Sequence, residues 1–213
     1  MATNLIKNGN FSQGYDGHTA YKYTVDGEMV ELQVQEITNP THWETFFVHG
    51  LPVPWDDDNQ IGFAQPEVRL ATDVPDPNRV MDETTHSLQG FGFYKIIDCG
   101  HFQRVSVIPG KRYRLTGYAH AWSSLDDNPR TSEGVGDTAY YSVSHSTNVT
   151  PEQANHSFAI GVGSDININN AMWNPGVHIY NSFHTVPEIE FFAQTDEVYV
   201  FLRDTVMWPY KHR

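Results

Sequence analysis

Basic residues are scarce in this chain. Lys and Arg number 13 against 26 Asp and Glu, the formal net charge is −13, and no Lys/Arg run interrupts the acidic balance. A mean field of that sign repels phosphate backbones and speaks against nucleic acid as a partner. Long apolar runs are missing too. None approaches the ~18 residues of a membrane-spanning helix, and the start, MATNLIKNGNF, passes into a strand pattern with no basic-then-apolar leader. Cysteine occurs once, at Cys99, so there is no internal disulfide and the redox compartment stays open. Close to Ile96 and Ile97, that thiol reads as a small core residue rather than a nucleophile. No segment sustains a 3.6-residue apolar period, which predicts little helix. Signatures of catalysis are equally absent: no Gly-x-Ser-x-Gly elbow, no phosphate loop, no His-Glu-x-x-His and no tight Cys/His set for zinc. The expectation is a protein that is not an enzyme, although a carboxylate pair for glycoside hydrolysis leaves no spacing signature.

What the chain does have is rings and turn residues. Aromatics make up 13 % of the 213 residues, with 16 Gly and 12 Pro scattered throughout. That punctuation suits an all-β protein of short strands, and the length allows one sizeable core. The sequence therefore predicts a single domain over 1–213, with strands at 4–11, 42–48, 87–98, 103–108, 112–122, 140–145, 158–162, 177–185, 188–194 and 197–203. An extra hairpin near 16–35 is built on Asp26-Gly27, and residues 51–83, with five Pro, form a long loop. Strands separated by turns in this way make a two-sheet antiparallel β-sandwich or a barrel.

The most informative stretch is 103–129, QRVSVIPGKRYRLTGYAHAWSSLDDNP. Pro109-Gly110-Lys111 marks a turn, because Pro presets φ and Gly accepts the positive φ of a type II turn. A hairpin is the natural reading. In its second strand Tyr113, Leu115, Gly117, Ala119 and Ala121 alternate with Arg114, Thr116, Tyr118, His120 and Trp122. Tyr118, His120 and Trp122 on a solvent face form a surface on which something flat and polar could stack, unless a loop of the same chain covers them. Trp173 and Tyr180 are possible neighbours. For Trp173, in NNAMWNPG, an anchor over the sandwich edge is the competing role.

Taken in order, NLIKNGNFSQGY, QRVSVIPGKRYRLTGYAHAW and EIEFFAQTDEVYVFLRD resemble the jelly-roll carbohydrate-binding modules of families 4, 9 and 22, which share a galactose-binding-like sandwich, and most closely a bacterial extracellular version. The resemblance implies a jelly-roll sandwich with a ligand on the concave sheet or the loop rim. It departs at Ser12, where many relatives carry an acidic residue that helps hold a structural calcium. It departs again at the end, where the chain stops at Lys211-His212-Arg213 before the family's last strand. An open edge beside the first strand is the expected consequence, covered by the hairpin at 21–35.

Two classes of function follow. One is a non-catalytic module that binds a polysaccharide or glycan through Tyr118, His120, Trp122, Trp173 and Tyr180. The other is a structural or surface-decoration protein that docks onto other protein subunits in a virion or cell-surface assembly. Either places the protein outside the cell or on a particle surface. No cofactor is implied beyond a possible structural calcium at Asp126 and Asp127, whose loop lacks EF-hand spacing; Asp56-Asp57-Asp58 reads as solvated loop.

Overall fold

The structure, a computed structural model, describes residues 3–25, 28–48, 66–70, 88–91, 97–119, 156–178 and 184–206. Twelve strands lie among them: β1 (Tyr15–Val25), β2 (Glu28–Pro40), β3 (Glu44–Phe47), β4 (Glu67–Leu70), β5 (Leu88–Phe91), β6 (Asp98–Ser106), β7 (Arg112–Ala119), β8 (His156–Gly163), β9 (Met172–Trp173), β10 (Val177–His178), β11 (His184–Phe192) and β12 (Glu197–Val206). A single 3-10 turn, Ile168–Asn170, is the only helical element among the described residues. The fold is the all-β sandwich that the sequence predicts. One layer is a six-stranded sheet in the order β10-β8-β12-β6-β3, with β9 also on β8; the β11-β7 pair and the sheet β1-β2-β4-β5 each pack against it. Pairing is antiparallel except for one parallel bridge, Ile37 to Val68.

Alternation decides which residues lie between the layers. Val105 of β6, Ile160 and Val162 of β8 and Val198 and Val200 of β12 point inward and meet Leu115 and Ala119 of β7 and Val186 and Ile189 of β11. A second cluster joins Ile37, Val68 and Leu88 of the four-stranded sheet to Phe47, Ile97 and Cys99 at the other end of the same face. In β7 the pattern expected from the sequence holds: Leu115 and Ala119 are buried while Arg114, Thr116 and Tyr118 are exposed.

The central stretch is not a hairpin. β6 and β7 belong to different layers, and so do β11 and β12. Gly110 does take the positive φ, 76°, that the turn demands, but Pro109-Gly110 carries the chain across the sandwich. The reason is burial: each strand has one apolar face, and facing layers bury both, whereas a flat hairpin would leave them side by side. The two crossings run together, with Gly110 N–H donating to Ala193 O at 2.8 Å and Val107 N–H to Asp196 O at 2.8 Å. Consequently β6 pairs β12 and β7 pairs β11. Pro187, which has no N–H, sits in the register shift between Val186 and Ile189.

Three further expectations are corrected. Residues 4–11 form no strand. Asn8 adopts φ 49° and acts as a hub: its Nδ2 donates to Thr41 O (3.0 Å), its Oδ1 accepts from Gln13 N–H (3.0 Å), and its carbonyl accepts from the Trp43 indole (3.2 Å). The Gln103 side chain takes the part of a neighbouring strand, accepting from Lys7 N–H and donating to Lys7 O, both at 2.8 Å. Without a first strand there is no edge of the kind that the 21–35 hairpin was expected to cover, and β2 of that hairpin pairs β4 instead. Finally, β4 lies within the stretch 51–83 read as loop; Val68, fully buried against Ile37, supplies the tertiary contact that makes a strand there. The expected strand at 140–145 lies outside the described residues.

Between the two core clusters sits His101, buried, with no hydrogen-bond partner at Nε2. Burial alone lowers its pKa from 6.5 to about 3. The folded state thus binds fewer protons than the unfolded chain between those values, so stability is complete above pH 6.5 and falls as the pH drops toward 3. Urea unfolding at pH 7 and pH 4.5 should show His101 costing about 2–3 kcal/mol at the lower pH. His101→Leu should remove that part of the acid sensitivity; an unchanged pH dependence would show that His101 does not titrate in this way.

Candidate functional site

The outer face of the six-stranded sheet, turned away from the core, carries a layer of rings. Trp173, Gly161, Phe201, Phe102 and Glu44 align in register across β9, β8, β12, β6 and β3. Gly161 makes room for Trp173, since a Cβ there would lie 2.8 Å from the indole ring. A Cβ at Gly100 would meet first the Leu202 carbonyl oxygen and then, at 2.7 Å, the Phe46 ring. Between them Phe201 is fully buried, with ring centroids 5.8 Å from Trp173, 6.0 Å from Phe102 and 6.2 Å edge-on from Phe46. Tyr199 extends the layer, 6.2 Å from Phe102 and half-buried.

Trp173 is held from two sides. Its indole N–H donates to Ile168 O at 3.0 Å. The loop that supplies this carbonyl is itself braced: Asp165 accepts from Asn167 N–H (2.8 Å) and Asn170 Nδ2 (3.1 Å), and Asn167 caps the 3-10 turn by accepting from Asn169 N–H (3.0 Å). On the other side, buried Asn174 stitches the break between β9 and β10, exchanging hydrogen bonds with Ile160 and donating from Nδ2 to Pro187 O at 2.7 Å.

Arg203, two residues beyond Phe201 on the same face of β12, places its guanidinium carbon 5.4 Å from the Trp173 ring centroid. Its Nε and Nη2 grip the two carboxylate oxygens of Asp98 at 2.7 and 2.5 Å. The hydrogen bond to Asp98 raises the Arg203 pKa further. Asp98 is 8 % exposed and Arg203 29 %, so the cation is the partner that reaches water. Chemically the face offers a ring surface flanked by fixed N–H donors, the pairing that suits a ligand with both C–H faces and oxygen acceptors.

Of the residues singled out from the sequence, Tyr118 and Trp173 are described, and the structure separates them. Tyr118, 57 % exposed, lies on the outer face of β7 in the opposite layer. Thr185 stands opposite it across the pair, and the exposed ion pairs of that face, Arg112 with Glu190 and Arg114 with Glu188 at 3.5 Å, lie farther along β7. Trp173 faces the other way, on the far side of β8, so the two rings share no site. The competing role read for Trp173 is also part of its position, since β9 does lie at the edge of the sheet. His120, Trp122, Tyr180, Asp126 and Asp127 lie outside the described residues, as does Asp56-Asp57-Asp58. Among the described residues no three His, Cys, Asp or Glu side chains are grouped to hold a metal ion, and no helix is long and apolar enough to cross a membrane.

Sequence reasoning missed Arg203, Asp98, Tyr199 and the role of Gly161. The alternation in EVYVFLRD puts Tyr199, Phe201 and Arg203 on one face and could have flagged them. Asp98, 105 positions away in the chain, could not have been paired locally. Cys99 and His101 do share the inner face of β6, yet burial pushes the thiol well above its usual pKa and the imidazole below its own. Both are held neutral, the reverse of what a thiolate and its base require.

No protein-family model and no curated protein matches the chain. Among solved structures it is similar to the carbohydrate-binding module TmCBM61, determined in complex with beta-1,4-galactotriose, at a TM-score of 0.51 and 10 % identity, over 99 % of this chain and 92 % of that one. It is also similar, at a TM-score of 0.43 and 12 % identity over 97 % of each chain, to the Stig cyclase Fisc from Fischerella sp. TAU, determined with an indole derivative. The likeness to the module is one of fold.

Gly161→Ala tests how the ring layer is built. The added methyl must displace Trp173, so stability should fall by about 1–3 kcal/mol and the near-UV circular dichroism of the indole should change. Unaltered spectra and stability would show that Trp173 does not rest on Gly161.

Proposed function

We propose that the protein is a non-catalytic carbohydrate-binding module that takes a polysaccharide or glycan on the outer face of its six-stranded sheet. The observation that supports this is Trp173, braced by Gly161 and Ile168, beside the Arg203–Asp98 pair. A pyranose ring presents C–H faces that pack on an indole and hydroxyls whose lone pairs accept from a guanidinium, and leaving either unmatched is costly. That TmCBM61, of the same fold, was determined with a galactose trisaccharide supports the reading. Such a module works where polysaccharide is met, outside the cell or on a particle surface.

Affinity electrophoresis on soluble polysaccharides tests it. Trp173→Ala should weaken retention by about 1–3 kcal/mol, taking base–aromatic stacking as the calibrated analogue, while Tyr118→Ala leaves it unchanged. Retention lost with Tyr118 and not with Trp173 would move the site to β7. No retention on any polysaccharide, with a stable assembly in solution, would favour subunit docking instead.

A further inference from the structure

We infer that the Trp173 site selects uncharged glycans and rejects acidic ones; this rests on the carbohydrate-binding reading above. The two arginines that the described residues place on this face are each paired with a carboxylate. Arg203 is neutralised by the bidentate grip of Asp98, and Arg104, on the same face of β6, lies 3.5 Å from Glu197. A uronate or sulfate would have to compete with a carboxylate held in better geometry than a mobile ligand attains. It would also approach a chain of net charge −13.

A cationic ligand fares no better. It would meet the Arg203 guanidinium, whose carbon lies 5.4 Å from the Trp173 ring centroid. The indole N–H, committed to Ile168 O, is not available to a ligand. What remains is ring surface together with the guanidinium N–H groups that Asp98 does not engage. The guanidinium is the partner that reaches water, 29 % exposed against 8 % for the carboxylate. Donors of zero net charge beside an apolar plate match a neutral pyranose chain, whose oxygens accept and whose C–H faces stack.

The test compares retention of the full chain in gels of neutral galactan or glucan with retention in polygalacturonate, at low and high salt. Retention on the neutral polymers should not change with salt, since no net charge is matched in the contact. Polygalacturonate should be retained at least about tenfold more weakly, like charges across an interface being costly. Asp98→Asn keeps an oxygen for Nε but unmasks the cation, and should create retention on polygalacturonate that salt abolishes. Salt-sensitive retention of the wild-type protein on polygalacturonate, lost in Trp173→Ala, would overturn the inference. The wild-type salt series stands even if Asp98→Asn fails to fold. Absence of retention on every gel would instead refute the carbohydrate-binding reading itself.

Discussion

Phe201 stands on the outer face of the six-stranded sheet and has no contact with water, while Val200, its neighbour in β12, is buried between the layers. A strand covered on both faces has to be roofed from outside as well as packed from inside. Here the roof is made of Trp173, Phe46 and Phe102, with Ile168 and Ala171 from the loop beside them. Full burial of a Phe side chain stabilises by about 1.5–3 kcal/mol. The ring layer is thus a piece of the fold, and in the function proposed above it is also the surface that a glycan would meet. Gly161 and Gly100 belong to the same solution, because only a residue without a Cβ lets a ring lie that close to the sheet.

The two outer faces of the sandwich solve the same problem differently. Over β7 and β11 the face carries exposed ion pairs, Arg112 with Glu190 and Arg114 with Glu188, beside the exposed rings of Tyr118 and Phe192. Pairs so open to solvent contribute little to stability and serve to keep the face solvated. Over β12, aromatics do the covering and a single, half-covered pair, Arg203 with Asp98, ties β12 to the start of β6. That pair loses less to solvent screening than the exposed ones, and its bidentate geometry fixes the guanidinium in place. A fixed donor beside a fixed ring is what distinguishes a prepared surface from an ordinary one.

The polar groups inside the sandwich act as joints where regular pairing fails. Asn8 closes the turn at the start of the chain, Gln103 gives an irregular segment the two hydrogen bonds of a strand, and Asn174 bridges the gap between β9 and β10. Each satisfies backbone groups that would otherwise be buried without partners. His101 does not act in this way: its Nε2, on the core side of β6, has no hydrogen-bond partner.

Local pattern determined much of this protein. Alternation in 112–119 told which side chains point inward, Pro109-Gly110 marked a sharp turn, and the lack of any helical period excluded helix bundles. These are properties of a few neighbouring residues, and period two is written directly into the order of side chains. Which strand faces which was decided elsewhere. Nothing in 103–119 says whether its strands lie side by side or face to face, since that depends on where the apolar faces of β8, β11 and β12 come to rest. The same limit hid the site. Tyr118 looked promising because its strand is aromatic, yet it lies in the layer opposite Trp173, with Thr185 of β11 across from it. Trp173 gained its setting from Gly161, Ile168 and Arg203, and Arg203 its partner from Asp98, all brought together by register across the sheet. Register is fixed by burial summed over the whole sandwich, and no single stretch of sequence carries that sum.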